Sequence, residues 1–196
     1  MEYILGEARF YFAQCVFTSK CHYVAYDRYS RQRNKRQWIA GCFSGFTAVL
    51  LELTIIGWDW ECDTLLQVVS FLSLTLTAAS LVFEIMCRQD LTELMMCHKH
   101  AAQDYMSLRD KFMDAIRRIM QGDNKDEVSC ELKLFLHDYD LLGEYALPTS
   151  SSDYVDAQKK LGLYGEDEAF TWSDEEIDAF LPEALRITHL SKTTPK

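Results

Sequence analysis

The fold class this sequence predicts is an all-α membrane protein. It should have a two-helix transmembrane hairpin, long cytoplasmic helices extending from it, and a small helical C-terminal region. Three observations carry that expectation. Two apolar runs, residues 38–57 and 64–86, each have the length of about 20 residues that crosses roughly 30 Å of hydrocarbon. Arg28, Arg31, Arg33, Lys35 and Arg36 precede the first run and Arg88 follows the second, while the connecting turn carries Asp59, Glu61 and Asp63 and neither Lys nor Arg. The positive-inside tendency therefore puts both termini in the cytoplasm. Trp38 at one boundary, with Trp58 and Trp60 at the other, suits the aromatic belts of a bilayer. The turn is so short that the two runs must pack as an antiparallel pair. Glu52, Gln67 and Glu84 keep a rival open, a buried hairpin in a soluble bundle, because charge inside a span is costly.

Taken in order, the chain divides into an N-terminal cytoplasmic helix (1–36), the hairpin (37–87), a cytoplasmic helical extension (88–147) and an acidic C-terminal helical region (148–196). The first segment is aromatic-rich, and Tyr23, Tyr26 and Tyr29 fall at helical spacing, which suits packing against a second long helix better than base stacking. No Pro or Gly separates it from the first span, so the two are expected to be continuous. After the hairpin, Leu91, Met95, His98, Ala102, Tyr105, Leu108, Phe112, Ile116 and Ile119 recur at three and four. That stripe predicts one helix over about 64–121, and it needs a partner, either the N-terminal helix or another protomer.

The residues 122–125, Gly-Asp-Asn-Lys, should break this helix, and 127–145 should resume it. A Pro-Thr-Ser linker leads to a short helix over 154–161, capped by Asp153 or a neighbouring Ser and stopped by Gly162. Ser173 and Glu176 form a capping box opening a last helix, about 174–190, which Pro182 kinks or divides.

Composition bounds the function. In 196 residues carrying a hairpin, only a modest soluble region remains. Net charge is −10, with basic residues before the first run and acidic ones crowding the last third. An acidic tail argues against direct nucleic-acid binding, and the basic cluster suits anionic headgroups. Seven scattered cysteines with no C-x-x-C predict reduced thiols and no disulfide framework. The N-terminus lacks a basic n-region and a cleavage site, so the hairpin is expected to be the insertion signal.

No catalytic motif emerges. Cys97, His98, His100 and Asp104 resemble a metal cluster, yet one helix cannot supply a tetrahedral set. His137 to Asp140 is an equally weak acid–base candidate. No catalytic residue, cofactor or metal is expected. The stronger signals lie in the hairpin. Gly41, Ser44, Gly45 and Ala48 form a small-residue face that permits close approach of another helix, within the hairpin or between protomers. Gln67, Ser70, Ser73, Thr77, Ser80 and Glu84 make a polar stripe along the second run. With Glu52 they are the candidate pore-lining residues, the alternative being hydrogen-bonding glue between helices. The long stripe and the small face together predict a homo-oligomer.

The chain resembles the SLATT family of bacterial two-transmembrane effectors associated with nucleotide-second-messenger and related antiphage systems. The resemblance rests on the basic, tyrosine-bearing stretch Tyr23-Val-Ala-Tyr-Asp-Arg-Tyr-Ser-Arg before a hairpin with a very short turn. It rests also on Ala102-Gln-Asp-Tyr-Met-Ser-Leu after it, and on Glu144-Tyr-Ala-Leu-Pro followed by Tyr154-Val-Asp-Ala. It implies a multi-pass protein of the bacterial inner membrane that oligomerises, permeabilises that membrane and causes abortive infection. Its partners would be the lipid bilayer and an upstream sensor of the same locus: a nucleotide synthase, a nucleotide-binding protein or a retron reverse transcriptase. The rival is a non-catalytic anchor or scaffold whose acidic tail recruits a partner.

Overall fold

The computed structural model describes residues 2–56, 63–163 and 172–187, with the side chains of 55, 56, 63, 65, 66, 84 and 86–90 outside that description. Among the described residues the chain is all-helical. The order is α1 (Glu2–Ile56), α2 (Asp63–Gln121), α3 (Lys125–Tyr145), α4 (Ser151–Leu161), α5 (Asp174–Phe180) and a 3-10 turn, Glu183–Leu185. The continuity expected of the N-terminal helix and first apolar run is real, and so is that of the second run and its extension. α1 has 55 residues and α2 has 59, each roughly 80–90 Å at 1.5 Å per residue. Both are possible because all three prolines, at 148, 182 and 195, come later. Among the described residues no helix is long and apolar enough to cross a membrane. The acidic turn and its tryptophans, Trp58 and Trp60, lie outside the described residues.

The chain divides into two compact units, Met1–Tyr26 with Cys97–Lys196, and Asp27–Met96. The first is a conventional water-excluding core. All nine positions of the α2 stripe, Leu91 to Ile119, are buried. In the first unit, those from Tyr105 onward pack with Ala8, Phe12, Ala13 and Cys15 of α1, with Val128 and Leu132 of α3, and with Ile177 and Leu181. So the partner for this part of the stripe is the same chain, and that part no longer argues for a second protomer. The tyrosines Tyr23, Tyr26 and Tyr29 are only half-buried; Cys21, His22, Val24 and Ala25 form the inward face instead. A period of three drifts around a helix of 3.6 residues per turn, so such a row cannot stay on one seam.

The smaller helices are held by caps and charges. Gly122, at φ 82°, ends α2 in the left-handed region. Asn124 caps α3 by accepting from the Asp126 amide at 3.1 Å, so α3 starts two residues before the expected 127. Arg118 then reaches Asp123, Glu127 and Glu131, and Lys111 reaches Asp138 at 3.0 Å. The N-cap of α4 is Ser150, and Asp153 is its reciprocal capping-box partner, which starts the helix at Ser151. Gly162, at φ 73°, stops it as expected. The last helix ends at Phe180, well short of 190. Leu181, the residue before Pro182, is extended at φ −91° and ψ 145°, the conformation a following proline imposes.

Candidate functional site

The Asp27–Met96 unit is built the opposite way from the first. Of its described side chains between residues 27 and 90, only Thr47 and Ser73 are buried. Large apolar side chains face outward instead: Trp38 is 77% exposed, Phe46 55%, Phe71 70%, Leu74 68% and Ile85 62%. Burying two small polar residues and exposing the apolar ones inverts the rule for a core in water.

Gly41, Ser44, Gly45 and Ala48 are all exposed. A methyl group built on Gly41 or Gly45 meets no atom within 4 Å, so neither glycine makes a close contact within the hairpin. That face is open to another helix. Glu52 is exposed on α1. Along α2, Gln67 and Thr77 are exposed, Ser70 and Ser80 half-buried, and Ser73 buried; the Glu84 side chain lies outside the described residues. The positions of the polar stripe therefore do not share one environment: Ser73 is packed while Gln67 and Thr77 face outward.

Its hydroxyls turn back on their own helix. Ser73 donates to the Ser70 carbonyl at 2.9 Å, Thr77 to Ser73 at 2.7 Å and Ser80 to Thr77 at 2.9 Å. Thr47 and Thr54 of α1 do the same, to Phe43 at 2.7 Å and Leu50 at 2.8 Å. With the hydrogens spent locally, each hydroxyl presents only oxygen lone pairs outward. The exposed Gln67 amide of the same stripe adds donors to these acceptors.

Sequence reasoning missed a second polar centre, in the first unit. His22 of α1 and His98 of α2 are both buried, with Nδ1 atoms 3.0 Å apart. At that distance one ring must donate and the other accept, so the neutral pair shares one proton. The Tyr105 ring stacks on His22 at 5.7 Å, and the buried Asp153 of α4 acts on His22 electrostatically. Burial, then the neighbouring His98, push the His22 pKa down to about 4 against the opposing pull of Asp153. Burial pushes the Cys15 and Cys21 thiols and the Tyr105 hydroxyl up to about 12, so the thiols are protonated and unreactive near neutrality.

Cys97, His98, His100 and Asp104 are divided between two sides of α2. His98 turns inward to His22 while Cys97, His100 and Asp104 stay exposed. Among the described residues no group of three or more His, Cys, Asp or Glu side chains gathers as a metal set. His137 is exposed on α3.

A third feature ties the ends of the chain. Arg9, 2% exposed, lies 2.9 Å from Asp178 and 3.2 Å from Asp174. The Asp178 contact satisfies an ion pair by distance but not a hydrogen bond by alignment, since that guanidinium nitrogen has no hydrogen-bond partner.

The model of one family, SMODS and SLOG-associating 2TM effector domain family 4, matches residues 4–176. The chain belongs to this family. The match takes in both long helices, α3, α4 and the capping box that opens α5, and so confirms at family level the resemblance seen in the sequence. The family is designated a two-transmembrane effector domain associated with SMODS and SLOG. No curated protein and no solved structure matches the chain.

Proposed function

We propose that this chain is a non-catalytic membrane effector of an antiphage defence system, which oligomerises to permeabilise the inner membrane and halt the infected cell. One observation carries the reading: of the described side chains between residues 27 and 90 only Thr47 and Ser73 are buried, among exposed side chains as large as Trp38 and Phe71. In water that surface would aggregate; in lipid it is the favourable one. The runs 38–57 and 64–86 lie in the bilayer, and both termini are cytoplasmic. Protomers associate through Gly41, Ser44, Gly45 and Ala48, whose faces are open, with Glu52 and the Gln67-to-Glu84 stripe toward the path. Acceptor-only hydroxyls and carboxylates favour cations. The activator is the sensor of the same locus, of the kind the family's SMODS and SLOG association suggests.

A specific observation also favours the recruiting role. Leu134, Leu141 and Tyr145 are exposed on α3, beside Asp140 and Glu144, and offer an apolar, acidic face to a cytosolic partner. Expression in cells separates the two. Leakage of a membrane-impermeant dye on activation is expected of the effector. A silent, membrane-bound protein under every activating condition sinks it and leaves the scaffold.

A further inference from the structure

A cleft of about 570 Å³ opens on α1 where the cationic segment gives way to the apolar run. Its described lining is Asn34, Gln37, Trp38, Gly41 and Cys42. These positions recur at three and four, so the described wall is one face of the helix. The lining changes character along the axis: two amides, then an exposed indole, then bare backbone at Gly41. Arg31, seven positions before Trp38, shares this face, and Lys35 flanks it; both are exposed. The Nε of Arg33 is shielded from water and has no hydrogen-bond partner. From Arg28 to Leu51 the sequence holds no Asp or Glu, so no carboxylate on this stretch competes for the cations.

We propose that this cleft binds one anionic phospholipid, with its phosphate at the Arg31 and Lys35 end and an acyl chain along Trp38 and Gly41, where it borders the protomer contact at Ser44, Gly45 and Ala48 and shares Gly41 with it. The inference rests on the membrane reading above. A phosphate presents only acceptors, which the guanidinium, the ammonium and the amide NH2 groups of Asn34 and Gln37 complement. The indole sits where aromatic residues meet headgroups. At Gly41 no side chain separates the acyl chain from the backbone, and a methyl built there meets no atom within 4 Å. A diffuse basic surface attracts any anionic lipid by about fivefold per Lys or Arg; a site has in addition a shape that can be filled.

Native mass spectrometry of the detergent-purified protein, offered phosphatidylglycerol and phosphatidylcholine in equal amounts, tests this. Phosphatidylglycerol adducts should exceed phosphatidylcholine adducts by about tenfold or more, from the two basic residues at the cleft. Arg31→Gln with Lys35→Gln should lower the preference by about that factor, leaving only the diffuse attraction of the other basic residues. Gly41→Leu fills the cleft without altering charge and should remove the adduct, whereas Gly45→Leu, one turn beyond the lining, should keep it. Equal adducts of the two lipids overturn the site. So does a Gly41→Leu protein that binds as the wild type does, or a Gly45→Leu protein that loses the lipid as Gly41→Leu does, which would place the lipid between assembled copies. Failure of the membrane reading looks different: the protein would then not partition into vesicles of either lipid, whereas loss of the site leaves partitioning intact.

Discussion

His22 is a basic residue that the fold keeps uncharged. Its folded pKa of about 4 lies below the ordinary 6.5, so protonation favours the unfolded chain. The contribution to stability is fully present above pH 6.5 and is lost as pH falls through 4. The shift corresponds to about 3 kcal/mol at 1.36 kcal/mol per pKa unit. Wild type should therefore lose more stability than His22→Asn between pH 6.5 and 4, as read from melting curves in detergent. Parallel curves would refute the assignment. Arg9 is the mirror case, a cation held in the core by Asp178. Arg9→Leu leaves that carboxylate buried without its cation, at a cost of about 3–5 kcal/mol; the expected readout is faster amide hydrogen exchange in α5 than in the wild type. Neither residue was legible in the sequence. His22 and His98 are 76 positions apart, Arg9 and Asp174 165 apart, and such pairs leave no local period. His98 was legible as a position of the buried α2 stripe, but nothing in its surroundings pointed to His22 as its partner.

At the scale of elements, periodicity was the reliable signal. The stripe from Leu91 to Ile119 was legible because a buried face on a long helix must repeat at three and four. Its partner was not, since a stripe says that something covers it but not which element. Phe112, fully buried between α1 and α3, tests the answer: Phe112→Ala should cost about 3–5 kcal/mol and loosen both. Helix stops were legible wherever glycine or proline dictated the backbone, as at Gly122 and Gly162. The final helix was overextended because Pro182 was allowed as a kink, where its restriction on Leu181 ends α5 outright. In the hairpin, Gly45→Leu meets no obstacle within the chain, so it should leave the helix content unchanged while shifting the detergent-purified protein toward monomer by light scattering. An unchanged oligomer would move the interface off this face.

At the scale of the whole molecule, the proposed function assigns a core that excludes water and a hairpin that turns its apolar residues outward to different solvents. Cysteines report this directly. Cys42, Cys97 and Cys130 are all exposed on the isolated chain. In vesicles, single-cysteine forms at 97 and 130 should react with a water-soluble maleimide, while Cys42 should not; equal labelling of Cys42 would put the hairpin in water. The permeation path is tested by Gln67→Leu with Thr77→Leu, which alters the two exposed polar positions and spares the buried Ser73. Dye leakage should be abolished with membrane insertion retained; undiminished leakage would make the stripe glue alone.

The unbroken courses of α1 and α2 have a mechanical consequence. Neither helix contains proline over its 55 or 59 residues, so the hydrogen-bonded path along each is unbroken and offers a route for rotation. An effector wired this way would be sensitive to phase. Inserting two alanines after Arg31 rotates everything downstream by about 200°, whereas inserting seven brings it to within about 20° of its original azimuth. If activation travels as rotation of these rods, the two-residue insertion should silence the protein and the longer seven-residue one should restore it.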